Sequence, residues 1–346
     1  MRSCGHNLQK QIVTLALQGG GSHGAFTWGV LDRLLQDGRL NIEGISGASA
    51  GAMNAAVLAH GYMRGGRDGA REALAKFWES VSTRESFNVM PAEWGAVELA
   101  RRSESDAATK AGFFLSRFFS PYQLNPFNLN PLREILSSQV DFDQLKGCKI
   151  KLFVAATQVN TGMPRLFRTE ELSIEVLLAS ACIPTLHHTI EIDGEAYWDG
   201  GLSANPPIRP LLYSCDASDV LVVLLHPRRR PEVPTGAEDI WHRLTEISFS
   251  SALFSELQGI ALAKREAHRS RFSLGHLERK LRRLNMHLID SQELMSKLSS
   301  LSKANSTASF INALRDEGRS RTKTWLGKNF RHIGARSSFT LGEHLY

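Results

Sequence analysis

A chain of 346 residues, 42% hydrophobic and 22% charged, can bury a large core and has the composition of a globular protein, which excludes a fibrous or disordered polymer. Four scattered cysteines, Cys4, Cys148, Cys182 and Cys215, form neither a disulfide framework nor a zinc signature, so a reducing compartment is expected. The net charge of +6 is uneven. Residues 228–346 hold 21 Lys and Arg against 12 Asp and Glu, a net of +9, whereas residues 1–227 hold 20 against 23, a net of −3. The break falls at Pro227-Arg228-Arg229-Arg230-Pro231 and divides an expected domain at 11–227 from a basic extension at 228–346. A basic face of this kind either is a solvated helical surface or meets an anionic lipid surface; no nucleic-acid partner is expected. No run has the length of a membrane span and no apolar h-region precedes the first strand, so a cytoplasmic protein with peripheral membrane contact at most is expected.

In chain order, Ile12 to Leu17 is a short apolar, β-branched run that reads as a buried strand. It enters Gln18-Gly19-Gly20-Gly21-Ser22-His23-Gly24. From Ala25 to Gln36 the apolar residues Phe26, Val30, Leu31, Leu34 and Leu35 fall at helical spacing, and Asp37-Gly38 ends the helix. Ile42 to Ser46 reads as a second strand running into Gly47-Ala48-Ser49-Ala50-Gly51 and a helix of small residues. Strand, glycine turn, helix, strand, turn, helix is the opening of an α/β fold with a mostly parallel sheet.

Residues 61–68 read as a loop, 70–80 as a helix, and 82–130 as an excursion covering the Ser49 side, a lid or insertion carrying Phe113, Phe114, Phe118 and Phe119. Lys149 to Ala156 reads as a strand, Leu166 to Arg168 as another, and Ser173 to Cys182 as a helix. Ile190-Glu-Ile192 and Ala196-Tyr-Trp198 flank an Asp193-Gly194 hairpin turn that delivers Asp199-Gly200-Gly201. Asp219 to Leu225 is the clearest buried strand, and the rest reads as helices over about 238–267, 275–303 and 307–330.

The chemistry gathers on three of these stretches. Gly47-x-Ser49-x-Gly51 sets a serine on a sharp turn from strand to helix, where a Cβ on either glycine would collide with the backbone. A serine hydroxyl attacks a carbonyl only when a base removes its proton and placed donors hold the developing oxyanion. Gly19, Gly20 and Gly21 can supply backbone donors at a helix N-terminus. For the base there are two options: a histidine following the elbow (His187, His188 or His226), or Asp199, provided that burial raises its pKa toward neutrality.

Together these segments resemble the patatin-like phospholipases, whose signature combines a G-G-G-x-[R/K]-G turn, a G-x-S-x-G elbow and a D-G-[G/A] segment. Gly19-Gly20-Gly21-Ser22-His23-Gly24, Gly47-Ala48-Ser49-Ala50-Gly51 and Asp199-Gly200-Gly201 occur in that order, and the resemblance runs from about residue 12 to 225. It implies a three-layer α/β/α fold with a mainly helical C-terminal extension. It further implies a serine acyl hydrolase acting on lipid esters, without metal or cofactor, in which Ser49 is the nucleophile and Asp199 the base of a dyad. The turn departs from the pattern at His23, where Arg or Lys is usual; a fixed positive charge is lost there, which bears on headgroup preference.

Three further readings compete. Gly19-x-Gly21-x-x-Gly24 also matches a dinucleotide fingerprint, with Glu43 at the distance of a ribose carboxylate, but such a site has no use for a nucleophile elbow on its second strand. An acyltransferase would use the same Ser49, and a non-catalytic membrane-docking protein would need neither Ser49 nor Asp199.

Overall fold

The computed structural model describes residues 11–83, 119–230, 232–269, 275–298 and 300–339. Eight strands form one sheet among these residues: β1 Gln11–Leu17, β2 Leu40–Ala48, β3 Lys151–Gln158, β4 Pro164–Arg168, β5 Ile190–Ile192, β6 Glu195–Asp199, β7 Asp219–Val223 and β8 Asn285–Ile289. The order is β5-β6-β3-β2-β1-β7-β8, with β4 paired to β3 off this path. β3, β2, β1, β7 and β8 run parallel, while β4, β5 and β6 are antiparallel additions.

The period of two in β1 sorts the core into two layers. Val13, Leu15 and Leu17 face a cluster built with α1 (Gly24–Asp37) and α2 (Ala50–Thr83). Ala16 faces the other way, with Val220, Val222 and Leu224 of the β7 stretch and Leu253, Leu257 and Ile260 of α8 (Ala237–Arg269). Helices therefore cover both faces of a mostly parallel sheet, the three-layer arrangement expected for strands that are apolar on both sides.

Short helices α3 (Pro121–Leu124), α4 (Pro131–Gln139) and α5 (Phe142–Leu145) precede β3, α6 (Ile174–Ser180) precedes the β5–β6 hairpin, and α7 (Arg209–Ser214) precedes β7. Asp193 and Gly194 of the hairpin turn both have positive φ, 51° and 81°, as a tight two-residue loop requires. The expected loop at 61–68 is instead a break within α2 at Gly65 and Gly66 alone, where φ of Gly66 is 60° and no other atom approaches its Cβ position.

The C-terminal part is mainly helical, with α8, α9 (His276–Arg283), α10 (Gln292–Met295) and α11 (Ala308–Asn329). The expected helix over 275–303 is corrected, because 285–289 is a strand that pairs β7 in parallel register, Val220 opposite Met286. The sheet thus crosses the charge boundary at residue 227. α11 lies against α1, and two glycines let the backbones meet: a Cβ on Gly29 would stand 1.9 Å from the Arg315 carbonyl oxygen, and one on Gly318 would stand 2.1 Å from that of Phe26. Most of the expected 82–130 excursion, with Phe113, Phe114 and Phe118, lies outside the described residues; Phe119 is exposed.

Candidate active site

The chain leaves β1 toward β2 on one side and returns to β7 on the other, so the C-terminal end of β1 is a switch point where loops diverge and a crevice opens. All three sequence segments end there. β1 runs into Gly19-Gly20-Gly21, its neighbour β2 runs into Ser49, and Asp199 ends β6, opposite Ala156 near the far end of β3.

Ser49 has φ of 51°, an uncommon and strained conformation for a residue with a Cβ, at the sharp turn from β2 into α2. Its surroundings hold it there. Its amide donates to the Ser180 carbonyl oxygen at 3.1 Å and meets Ser180 Oγ at 2.9 Å, at the end of α6. A Cβ on Gly47 would stand 2.7 Å from the Gly51 carbonyl carbon, and one on Gly51 2.1 Å from the Leu17 carbonyl oxygen. A Cβ on Gly24 would meet Ala50 Cβ at 2.7 Å. Asn54 on α2 ties the elbow to the glycine turn, donating to the Gly24 and Ala50 carbonyls and accepting from Trp78 Nε1 at 3.0 Å.

Asp199 is fully buried. Its Oδ1 accepts the Gly201 N–H at 2.7 Å, while Oδ2 has no hydrogen-bond partner of full geometry among the described residues. Burial pushes the carboxyl up to about 7; the Gly201 N–H, the Ser49 hydroxyl and the charge of Lys303 favour the ionised form and oppose that rise. The two following glycines make room. A Cβ on Gly200 would stand 2.0 Å from the Ala155 carbonyl oxygen, and one on Gly201 2.5 Å from the Phe249 ring.

The three glycine amides of the turn are not equivalent. Gly19 N–H already donates to Asn205 Oδ1 at 2.6 Å, so this donor is engaged. Gly20 and Gly21 amides reach no described residue. Gly20 has an extended φ of 175°, whereas the left-handed position is Gly21, at 57°. His23 is buried, with Nε2 against Ser302 Oγ at 2.7 Å, and burial lowers its pKa to about 3. It is a neutral imidazole that carries no charge for the turn.

Of the three histidines that could serve as a base, His188 and His226 are engaged with other partners. His188 stacks on Tyr122 at 4.1 Å between ring centroids and its Nε2 faces the Pro121 carbonyl. Burial lowers the pKa of His187, with a contribution from His188. His226 Nδ1 meets Ser250 Oγ at 3.0 Å and its Nε2 meets Lys303 Nζ at 3.0 Å. None has a hydrogen bond to Ser49 among those of the described residues.

Several participants carried no sequence signal strong enough to find them. Gln18 Oε1 accepts from the Leu225 and His226 amides at 2.8 and 2.9 Å, which sets the glycine turn against the end of β7. Asn205, Ser180 and Lys303 are single polar residues in ordinary contexts. Only Asn205 was within reach, because it stands four residues past the Asp199-Gly200-Gly201 segment.

A family model for patatin-like phospholipase matches residues 15–212. The chain belongs to the patatin-like phospholipase family, and its mostly parallel sheet flanked by helices is the fold expected for that family. Among solved structures it is similar to VipD from Legionella pneumophila, at 14% identity and a TM-score of 0.42, covering 97% of this chain and 73% of that one. It is also similar to ExoU from the type III secretion system of Pseudomonas aeruginosa, in its complex with SpcU, at 19% identity and a TM-score of 0.31, over 70% of this chain and 51% of that one. No curated protein sequence matches.

Proposed function

We propose that this chain is a serine acyl hydrolase of lipid esters that works through a Ser49–Asp199 dyad. The observation that supports it is the fully buried carboxyl of Asp199, its Oδ2 left without a full-geometry partner and acted on by the hydroxyl of a serine held at positive φ. A carboxyl raised to about 7 is basic enough to accept a hydroxyl proton near neutral pH.

In this reading Ser49 Oγ attacks the acyl carbonyl while its proton passes to Asp199. The Gly20 and Gly21 amides, with the N-terminus of α2, hold the oxyanion. Collapse breaks the ester bond, the departing alkoxide takes the proton from Asp199, and an acyl-Ser49 ester remains. Water then attacks that ester, gives a proton to Asp199, and releases the fatty acid as Ser49 recovers its proton. An alcohol in place of water would make the same intermediate an acyl donor.

A fluorophosphonate probe tests the nucleophile. It should add one covalent label, mapped by mass spectrometry to the peptide holding Ser49, and Asp199→Asn should slow the labelling. A label on another residue would sink the assignment.

The substrate is aggregated when its chains are long, so this reading also needs a surface. No helix among the described residues is long and apolar enough to cross a membrane. On α8, Ile240, Leu244 and Ile247 recur at helical spacing and are 42%, 54% and 48% exposed. Such a stripe beside basic residues suits shallow contact with an anionic bilayer. A chain that works this way needs only a peripheral contact and fits a cytoplasmic location. Replacing Ile240 and Leu244 with Ser should lower turnover of anionic vesicles several-fold and spare a short soluble ester. Equal loss on both substrates would assign the stripe to packing.

A further inference from the structure

The C-terminal segment is built into the candidate site. Gly21 lies at positive φ, and a Cβ there would stand 2.5 Å from the Lys303 carbonyl oxygen, so the glycine turn and the 3₁₀ turn Ser300–Ala304 are in backbone contact. Ser302 Oγ closes the same contact on His23 Nε2. Lys303 Nζ donates to His226 Nε2 at 3.0 Å; the imidazole proton then sits on Nδ1, facing Ser250 Oγ.

The charges around this point can be assigned in turn. His23 and His226 are buried, and burial together with Lys303 and Arg230 holds both pKa values below the ordinary histidine value, so neither is cationic at neutral pH. Arg230 is tied to Glu246, with Nε 3.2 Å from Oε2, and to the Ser296 and Leu298 carbonyls. Lys303 has no carboxylate in ion-pair contact among the described residues; its hydrogen-bond partner is the neutral His226. The carboxylates that act on it are Glu246 and Asp199, at longer range, while Arg230 opposes them. Burial lowers the Lys303 pKa to about 8, which leaves the ammonium as the main form at neutral pH. An ammonium is desolvated here at a cost, within electrostatic reach of the one carboxylate that the chemistry uses.

We propose that Lys303 completes the catalytic site from the C-terminal segment: held by His226 behind the glycine turn, its ammonium acts as a positioning charge on the Ser49–Asp199 pair and on the oxyanion formed beside it. This rests on the dyad reading above. The charge favours the basic form of Asp199, and it stands on the side where His23 carries none. It also gives the region after residue 227 a role in the reaction, since the cation of the site would come from outside the three glycine-rich segments.

The test uses the full chain, p-nitrophenyl butyrate, and kcat and KM measured from pH 5 to 9, with Ser49→Ala as the blank. Lys303→Met and Lys303→Gln should lower kcat about tenfold while KM changes less than about twofold, the pattern of an interaction made in the transition state. Loss of a positive charge makes Asp199 harder to ionise, so the acid limb of kcat/KM should move up by about one pH unit. Lys303→Arg should restore both. An unmoved acid limb in the neutral variants, or an Arg variant as impaired as Met, would overturn the proposal. So would failure of both neutral variants to fold, which would make the lysine structural. If wild type and Ser49→Ala are equally inert, the dyad reading fails first and this proposal falls with it.

Discussion

Ser49→Ala and Asp199→Asn are each expected to lower ester turnover at least about a thousandfold, the scale reached when a nucleophile or its base is removed. The fold should survive both changes. Ser49 is held through its backbone by Ser180 and by the close approach of Gly47 and Gly51, not through its hydroxyl. An asparagine at 199 can keep the oxygen that accepts the Gly201 N–H. The two residues act in one step, so the double variant should be no worse than the weaker single one. Steady-state kinetics on a short ester, beside a thermal melt of each variant, checks this. Near-wild-type turnover by Asp199→Asn, with loss in His187→Ala, His188→Ala or His226→Ala, would sink the dyad.

The Asp199→Asn variant should also be more stable than the wild type above neutral pH. The carboxyl has a folded pKa of about 7 against an ordinary value of 3.8, and burial is the first cause of the rise. A carboxyl whose pKa is raised on folding favours the folded state below its unfolded pKa, and loses that advantage as pH climbs through the folded pKa. Between about pH 4 and pH 7 the wild type therefore sheds stability, with a ceiling of roughly 4 kcal/mol for a shift of about three units. The neutral amide bears no such loss. Denaturant unfolding should show Asp199→Asn ahead at pH 8, with the gap closing toward pH 4. A gap that is absent at pH 8, or that widens in acid, would mean that Asp199 is not held in this strained state. The same ionisation governs turnover, so the acid limb of wild-type kcat/KM should fall near pH 7.

These expectations trace back unevenly to the sequence. The glycines around Ser49 were legible because their reason is local: a strand that turns directly into a helix leaves no space for Cβ atoms at Gly47 and Gly51, and the close backbone approaches there agree. The alternation in β1 and the helical spacing in α1 were equally local. The helix expected over 275–303 failed for the opposite reason. Asn285-Met-His-Leu-Ile is a short apolar run among strong helix formers, and only pairing with β7 makes it a strand. The break at Gly65-Gly66 was read too wide, because two glycines suffice to kink a helix that packs on both sides of them.

By itself the sequence determined the layer architecture, the elbow, the glycine turn and the Asp199-Gly200-Gly201 segment, since each is a pattern of residue types at fixed short spacing and each answers to sterics within a few residues. The tertiary structure decided what depends on residues far apart in the chain. It set Gly19 against Asn205 and so removed one donor from the turn, it buried Asp199 and raised its pKa toward neutrality, and it turned His188 and His226 to other partners. It also brought Lys303 beside the site across more than 250 residues of chain. Burial and long-range charge are properties of the packed molecule, because the free energy of an ionised group depends on everything that displaces water around it, and no local pattern records that.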